Sequence, residues 1–257
     1  MTFAHHVARL DAELARLSGL VVALSGGVDS AALLGAAARA LPGRVVAATT
    51  YSAAVPDEEV AAAAAVATRF GVPHHVLATD ELADPDYRAN AGDRCYFCRR
   101  EMYGVLGSLA EREGLAWIAD GLQADDLVAD RAGVRAAREG GILHPLRDAG
   151  LGKAAVRRLA RGFGLALHDK PAQPCLASRL PVGVEVTEAR LRLVGRAERS
   201  VRDLGYSIVR VRCEDRHGRI EVGGAELTRA LADPAPLEAA VRAVGFTTAA
   251  VDPRGYR

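Results

Sequence analysis

Six residues near the N-terminus, SGGVDS from Ser25 to Ser30, combine groups that are suited to binding phosphate. Glycines between a strand and a helix let backbone N–H groups face a ligand, and the helix N-terminus favours an anion. The serine hydroxyls can donate to phosphate oxygens, whereas Asp29 suits a Mg²⁺ ion carried by the phosphates. The stretch lacks the lysine of a Walker loop and the spacing of a dinucleotide fingerprint, so it predicts another kind of phosphate loop, or only a tight capped turn. The residues predicted to bind nucleotide are Ser25, Gly26, Gly27, Asp29 and Ser30.

Cysteines are the second group of residues that could take part in chemistry, as metal ligands or as nucleophiles. Cys95 and Cys98, in DRCYFCRR, are spaced so that two thiolates could reach one metal, although a zinc site would need two further ligands. Cys175 lies in the proline-rich stretch DKPAQPCLASRLP, where Lys170 and Arg179 would favour the nucleophilic thiolate. This cysteine is therefore a candidate nucleophile, with an incidental buried thiol as the alternative.

The elements that must position these groups alternate between strands and helices over the first two thirds of the chain. The apolar runs LVVALS, RVVAATTYS, PHHVLATD and AWIAD predict strands, and helical patterns lie between them. This alternation predicts an α/β fold with a doubly wound parallel sheet, which binds ligands at the carboxyl ends of its strands. The phosphate loop and the acidic loop that contains Asp126 both fall at that edge.

A change of pattern follows a cluster of glycine and proline residues. A helix over 187–204, two strands, a helix over 225–244 and a last strand predict a small α+β domain. The predicted organisation is a nucleotide domain over 1–170, a linker over 171–183 that carries the candidate nucleophile, and a substrate or oligomerisation domain over 184–257.

Composition limits the partners and the cellular location that we expect for this protein. The 257-residue chain is 50% hydrophobic, and its net charge of +1 gives no sign of a nucleic-acid or membrane partner. No apolar run approaches the roughly 20 residues of a membrane-spanning helix, and the N-terminus lacks the pattern of a signal peptide. We therefore expect a cytoplasmic protein whose cysteines are not in disulfides. Cys213, in a predicted strand, is expected to be inert.

The phosphate loop resembles that of the N-type ATP pyrophosphatases, which include synthetases of GMP, NAD and asparagine and tRNA thiolases. Over Ser25 to Val222 the chain further resembles the LarE family, the ATP-dependent sulfur transferases that make the nickel-pincer cofactor of lactate racemase. The shared segments are SGGVDS, GDRCYFCRR, ADGLQADD, GILHPLRDAGLGKAAVRRLA, DKPAQPCLASRLPVG and RVRCEDRHGRIEV.

The resemblance implies a reaction and a substrate. ATP with Mg²⁺ would activate a carboxylate of pyridinium-3,5-dicarboxylic acid mononucleotide as an acyl adenylate, with Asp29 holding the metal and Asp126 positioning metal or substrate. A thiolate would then attack the acyl carbon and AMP would leave. The resemblance also implies a homo-oligomer, possibly a hexamer.

Arginines are the expected partners of this anionic substrate, because guanidinium groups bind phosphate and carboxylate through paired hydrogen bonds. Arg210 and Arg212 share one face of a predicted strand, and Arg179 follows the candidate nucleophile. Glu221 is expected to orient one of these arginines. The alternative for the strand pair is a solvated strand face.

Two sources of sulfur remain open. In one route Cys175 gives up its own sulfur and is left as dehydroalanine. In the other, Cys95, Cys98 and Cys175 hold a [4Fe–4S] cluster with an open iron that carries an extra sulfide, and the Cys95–Cys98 pair favours this route.

Other classes of protein share some of these features. A tRNA thiolase, or another ligase or amidotransferase of the pyrophosphatase group, would use the same loop, but the neutral charge argues against an RNA-binding protein. A non-catalytic nucleotide-binding protein, or one stapled by zinc, would explain the loop but not Asp29 together with Cys175.

Overall fold

The computed structural model describes residues 2–126, 132–169, 171 and 173–256. The chain divides into two compact units. The first unit comprises Met1–Glu81 and Cys95–Gln173, and the second comprises Leu82–Arg94 and Pro174–Arg257. The segment Leu82–Arg94 thus groups with C-terminal residues, although it lies within the sequence range predicted for the nucleotide domain.

Strands and helices alternate through most of the chain. The strands are β1 (Leu20–Ala23), β2 (Val45–Tyr51), β3 (His74–Ala78), β4 (Trp117–Ala119), β5 (Val209–Glu214), β6 (His217–Val222) and β7 (Thr248–Val251). The helices are α1 (Phe3–Ala15), α2 (Val28–Ala40), α3 (Asp57–Phe70), α4 (Pro85–Ala89), α5 (Arg94–Glu113), α6 (Ala132–Glu139), α7 (Pro145–Asp148), α8 (Lys153–Gly162), α9 (Glu188–Asp203), α10 (Gly224–Ala232) and α11 (Ala235–Ala243).

The first unit is built on a parallel four-stranded sheet in the order β3-β2-β1-β4. Leu20 and Val22 of β1 pack in one core cluster with Leu33 and Leu34 of α2. Val21 packs in a separate cluster with residues of α5 and α6. Both faces of the sheet are therefore covered by helices, which confirms the doubly wound fold and leaves the ends of the strands for ligands.

The second unit contains a three-stranded sheet in the order β5-β6-β7. Strands β5 and β6 are antiparallel, with Arg210 opposite Glu221, and β6 and β7 are parallel. Val209, Val211 and Cys213 of β5 have no exposed surface. The mixture of this sheet with helices confirms the smaller α+β fold that the sequence predicted.

The single helix predicted over 225–244 was wrong, because the structure has two helices, α10 and α11, in this region. Pro234 lies between them and has no N–H to continue the hydrogen bonds of α10. A proline in the first turn of α11 suits a helix start. The sequence contained this signal, and the apolar periodicity across it concealed the break.

Helix α5 begins at Arg94, just before the first of the two cysteines. Cys95 and Cys98 therefore lie inside the helix, one turn apart.

Among the described residues, no helix has both the length and the apolar character that crossing a lipid bilayer requires.

Candidate active site

The turn from β1 to α2 is formed by the residues predicted to bind phosphate. Gly26 has a φ of +75°, and a Cβ at this position would lie 2.3 Å from the carbonyl oxygen of Glu59, so only glycine fits. The backbone N–H of Ser25 donates to Ser30 Oγ at 3.1 Å, and Ser30 Oγ donates to the carbonyl of Gly27 at 3.2 Å. These bonds fix the turn so that the N-terminus of α2 lies at the carboxyl end of β1, where an anion is favoured.

Lys153 is a cation of the site that the sequence analysis missed. Its Nζ donates to both carboxylate oxygens of Asp29, at 2.9 and 2.7 Å, and both side chains are half-buried. Lys153 is the first residue of α8 and follows Gly152, the N-cap of that helix. The signal in the sequence was the stretch GLGK, which ends a loop just before a basic helix. The phosphate loop, which has no lysine of its own, therefore has one supplied by another part of the first unit.

Two acidic residues after β4 have different contacts. Asp126 Oδ2 accepts from the N–H of Gln123 at 3.3 Å, within a short turn, so its role toward metal or substrate stays a prediction. Asp125 Oδ2 accepts from the N–H of Lys153 at 2.6 Å and so caps the start of α8. Asp125 thereby fixes the backbone that carries the lysine. Residues 127–131, which follow this turn, lie outside the described residues.

A buried polar network, which no local sequence pattern indicates, surrounds Asp120 directly after β4. Its Oδ2 accepts from Arg99 Nη1 and from the hydroxyl of Tyr103, each at 2.8 Å. Its Oδ1 is 2.7 Å from His144 Nδ1, which therefore donates. Burial would raise the pKa of Asp120, but the hydrogen bond from His144 and the charge of Arg99 outweigh it and lower that pKa to about 2.

The next residue, Gly121, connects this network with the phosphate loop. A Cβ on Gly121 would lie 2.7 Å from the backbone nitrogen of Ser30, so the chain after Asp120 lies against the first turn of α2. Arg99 belongs to α5, the helix that contains Cys95 and Cys98. The network therefore holds that helix beside the strand end that supports the phosphate loop.

The pKa of Asp120 predicts a pH-dependent contribution to stability. An aspartate has a pKa of about 3.9 in the unfolded chain, so the ionised Asp120 stabilises the fold fully above that pH. The contribution, about 3 kcal/mol, is lost as the pH falls from about 4 through 2. Urea unfolding at a series of pH values should show that Asp120→Asn lowers stability at neutral pH and flattens this acidic decline. An unchanged decline in the variant would contradict the assignment.

The pair of cysteines in α5 lies at the start of the helix. Cys95 is exposed and Cys98 is half-buried. Between them lie Tyr96 and Phe97, and the guanidinium of Arg100 lies 5.6 and 5.3 Å from the centres of these two rings. Within the described residues of either unit, no three His, Cys, Asp or Glu side chains form a group that could hold a metal ion. A cluster that uses these cysteines stays a prediction.

Cys175 is in the second unit, half-buried, immediately before a short 3-10 turn over Leu176–Arg179. Two of the arginines predicted to bind substrate hold this segment. Arg179 Nη1 donates to the carbonyl of Cys175 at 3.1 Å, and Arg212 Nη1 donates to the carbonyl of Ser178 at 2.8 Å. Lys170, which the sequence placed near this thiol, lies outside the described residues.

Each of these two arginines also has a carboxylate partner. Arg179 pairs with Glu198 at 2.7 Å, and Arg212 Nε donates to both oxygens of Glu221 at 3.1 Å. Arg210 is 1% exposed, its guanidinium lies 4.8 Å from the ring centre of Tyr256, and burial lowers its pKa. Direct binding of substrate by the three arginines and Glu221 stays a prediction.

Asn90 holds the chain that follows Cys175, and the sequence analysis did not find it. This residue is 1% exposed and has a φ of 52°, a conformation that asparagine tolerates better than most residues. Its side-chain amide donates to the carbonyls of Pro181 and Val184 at 2.7 and 2.9 Å.

Cys213 of β5 is fully buried, and burial raises the pKa of its thiol.

Comparisons with known proteins agree with these features. Residues 16–92 match the family model described as asparagine synthase. Over 243 residues the chain is 39% identical to the uncharacterized protein slr1717 of Synechocystis sp., which covers 94% of this chain and 91% of that protein. Over 258 residues it is 32% identical to the pyridinium-3,5-bisthiocarboxylic acid mononucleotide synthase of Lactiplantibacillus plantarum, which covers 100% of this chain and 93% of that protein.

A shorter match involves another enzyme. The tRNA(Ile)-lysidine synthase of Methylobacterium nodulans is 37% identical over 147 residues, which is 54% of this chain and 41% of that protein.

Proposed function

Because the chain belongs to the LarE family of ATP-dependent sulfur transferases, we propose that it converts a carboxylate of pyridinium-3,5-dicarboxylic acid mononucleotide into a thiocarboxylate, as a step of nickel-pincer nucleotide synthesis. The observation that carries the proposal is the similarity to the L. plantarum synthase over the whole chain. The phosphate loop alone would fit several kinds of ATP pyrophosphatase. The match therefore supports the substrate, and the loop supports the use of ATP.

The first step is adenylation. A carboxylate oxygen of the substrate attacks the α-phosphorus of ATP, the bond to the β-phosphate breaks, and pyrophosphate leaves. The N–H groups at the start of α2 and the hydroxyls of Ser25 and Ser30 would hold the phosphates. Lys153, which bridges both oxygens of Asp29, is placed to neutralise charge on the leaving pyrophosphate.

The Asp29 carboxylate, at the start of α2 and 28% exposed, fits as an oxygen ligand of Mg²⁺, which proteins commonly bind through one or two carboxylates together with substrate phosphates. When bound, Mg²⁺ neutralises phosphate charge. The Mg²⁺ that Asp29 would hold and the ammonium group of Lys153 would then both neutralise negative charge at the phosphates.

The second step is thiolation. A sulfur nucleophile attacks the acyl carbon of the adenylate, the bond to the AMP oxygen breaks, and AMP leaves with the electron pair of that bond. Cys175, held in a fixed segment of the second unit, is required in both routes for sulfur. In the route that we favour, Cys95, Cys98 and Cys175 would hold an iron–sulfur cluster, which would supply sulfide when bound. Cys95 and Cys98, one helical turn apart, fit as two of its thiolate ligands.

Product formation with defined substrates tests the proposal. The purified chain should release AMP and pyrophosphate from ATP and Mg²⁺ when the pyridinium mononucleotide is present, and mass spectrometry should show sulfur in place of a carboxylate oxygen in the product. Unmodified tRNA is the informative alternative substrate, given the partial match to a lysidine synthase. AMP release that depends on tRNA and not on the pyridinium compound would contradict the proposal. Gel filtration would test the proposed homo-oligomer, for which we expect the elution volume of a hexamer.

A further inference from the structure

Arg179 and Glu198 form an ion pair in the interior of the second unit, with each side chain only 1% exposed. Arg179 Nε lies 2.7 Å from Glu198 Oε1, and Arg179 Nη2 lies 3.1 Å from Oε2. The contact is therefore bidentate, which fixes the plane of the guanidinium as well as its position.

The third nitrogen of this guanidinium faces the segment that carries Cys175. Arg179 Nη1 donates to the carbonyl oxygens of Pro174 at 2.7 Å and of Cys175 at 3.1 Å, and to Ser178 Oγ at 2.9 Å. One edge of the guanidinium thus binds the buried carboxylate of Glu198. Its remaining nitrogen binds the backbone carbonyls of Pro174 and Cys175. A lysine could not make both sets of contacts, because it has a single nitrogen.

Glu198 is itself fixed by other parts of the second unit. It belongs to α9, and its Oε1 accepts from the backbone N–H of Val211 in β5 at 3.1 Å. Its Oε2 accepts from Arg202 Nη2 at 3.1 Å, one turn further along the helix. The orientation of Arg179 is therefore set by a helix and a strand, which are more rigid supports than a loop.

The Arg179 guanidinium is 1% exposed, so a substrate anion could reach it only by displacing Glu198 or the segment that carries Cys175. Removing one partner of a buried ion pair leaves an uncompensated charge, which is strongly destabilising. Direct binding of substrate, expected of Arg179 from the sequence, is thus unfavourable in this arrangement.

We propose that Glu198 is a positioning residue for sulfur transfer, which acts through Arg179 to fix the backbone of Cys175 and hence the direction of its thiol. This inference deepens the proposed function and rests on the role of Cys175 in it. A misdirected thiolate would be a poorer nucleophile toward the acyl adenylate or, in the cluster route, a poorer ligand of the cluster, whereas adenylation, which is proposed to use groups of the first unit, would be unaffected.

Two substitutions test the proposal, and each changes one partner of the ion pair between Arg179 and Glu198. Glu198→Gln keeps an acceptor for Val211 and removes the charge. Arg179→Lys keeps a cation beside Glu198 and removes the fork, so it should retain the fold if the glutamine variant does not. The control is Glu188→Gln, at the other end of α9, where the carboxylate belongs to an exposed pair with Arg192.

Sulfur transfer at saturating substrate should fall about 100-fold in both variants, because small misplacements of reacting groups have effects of this size. The KM for the pyridinium substrate and the rate of AMP formation should stay at wild-type values. Labelling by iodoacetamide, followed by peptide mass spectrometry, should become several-fold faster at Cys175 and stay unchanged at Cys98. The control variant should match the wild type in every measurement.

Two activity results would overturn the proposal. One is wild-type sulfur transfer by Arg179→Lys, and the other is a rise in KM without a fall in kcat, which would indicate a direct substrate contact. The labelling experiment does not depend on the proposed reaction. If the wild type fails to transfer sulfur, the proposed function fails. Equal labelling of Cys175 in the wild type and both variants then separately disproves the positioning role.

Discussion

Replacing Cys175 with alanine is expected to reduce sulfur transfer to background while AMP formation remains measurable. In the proposed reaction, adenylation uses the phosphate loop and Lys153 of the first unit, whereas the thiol belongs to the second unit. The measurement is AMP by chromatography and thiocarboxylate by mass spectrometry in the same reaction. Cys213→Ala is the matched control, because it removes a thiol that is fully buried and whose pKa is raised by that burial.

The same assay distinguishes the two sources of sulfur when it is applied to a Cys95→Ser/Cys98→Ser double variant. If a cluster supplies the sulfur, iron content and transfer should both be lost, and Cys175 should keep its mass in the wild type after turnover. If Cys175 supplies its own sulfur, the double variant should complete one turnover and the protein should become lighter by one H₂S. We expect the first outcome. Iron-free protein with full single-turnover activity and dehydroalanine at position 175 would disprove the cluster route.

Replacing Lys153 with alanine is expected to slow AMP and pyrophosphate formation roughly 100-fold, the effect typical of removing one charged or donor group from a site where charge develops. The variant also leaves Asp29 without the cation that now bridges both of its oxygens. Initial rates at saturating ATP and Mg²⁺ provide the measurement.

Arg158→Ala is the matched control for this experiment. It removes a cation from the same helix, but its guanidinium lies over the ring of Phe3, with 4.2 Å between the guanidinium carbon and the ring centre. The control should keep nearly full activity. If the two variants slow the reaction equally, the loss reflects the stability of α8, and Lys153 does not act on the phosphates.

The sequence predicted the parts of the molecule that local patterns encode. The parallel sheet followed from alternating apolar runs, and the strand–glycine–helix pattern of Ser25 to Ser30 predicted the phosphate loop. Lys153 could not be predicted in the same way, because its partner Asp29 is 124 residues away. Asp120 was missed for the same reason, since its partners come from α5 and from His144.

The arginines show a further limit of sequence patterns. Alternation along β5 correctly placed Arg210 and Arg212 on one face, but a strand pattern does not say which acid lies opposite. In the structure Glu221 pairs with Arg212, and Glu198, from a helix, pairs with Arg179. Whether an arginine meets a ligand or a carboxylate depends on these tertiary contacts. The break between α10 and α11 is different, since Pro234 was visible and its effect was underestimated.

The discontinuous composition of the second unit has a consequence during translation. Leu82–Arg94 is synthesised before Cys95–Gln173, and long before its partners in the C-terminal part exist. The N–H of Gly183 donates to the carbonyl of Asn90, and that of Val186 to the carbonyl of Arg88. Until Pro181 and Val184 emerge, the side-chain amide of Asn90 lacks the two carbonyls that it binds in the folded protein. The segment Leu82–Arg94 therefore cannot yet take its place in the second unit. Synthesis of the C-terminal part, and not of the N-terminal part, therefore sets the moment at which the second unit can fold.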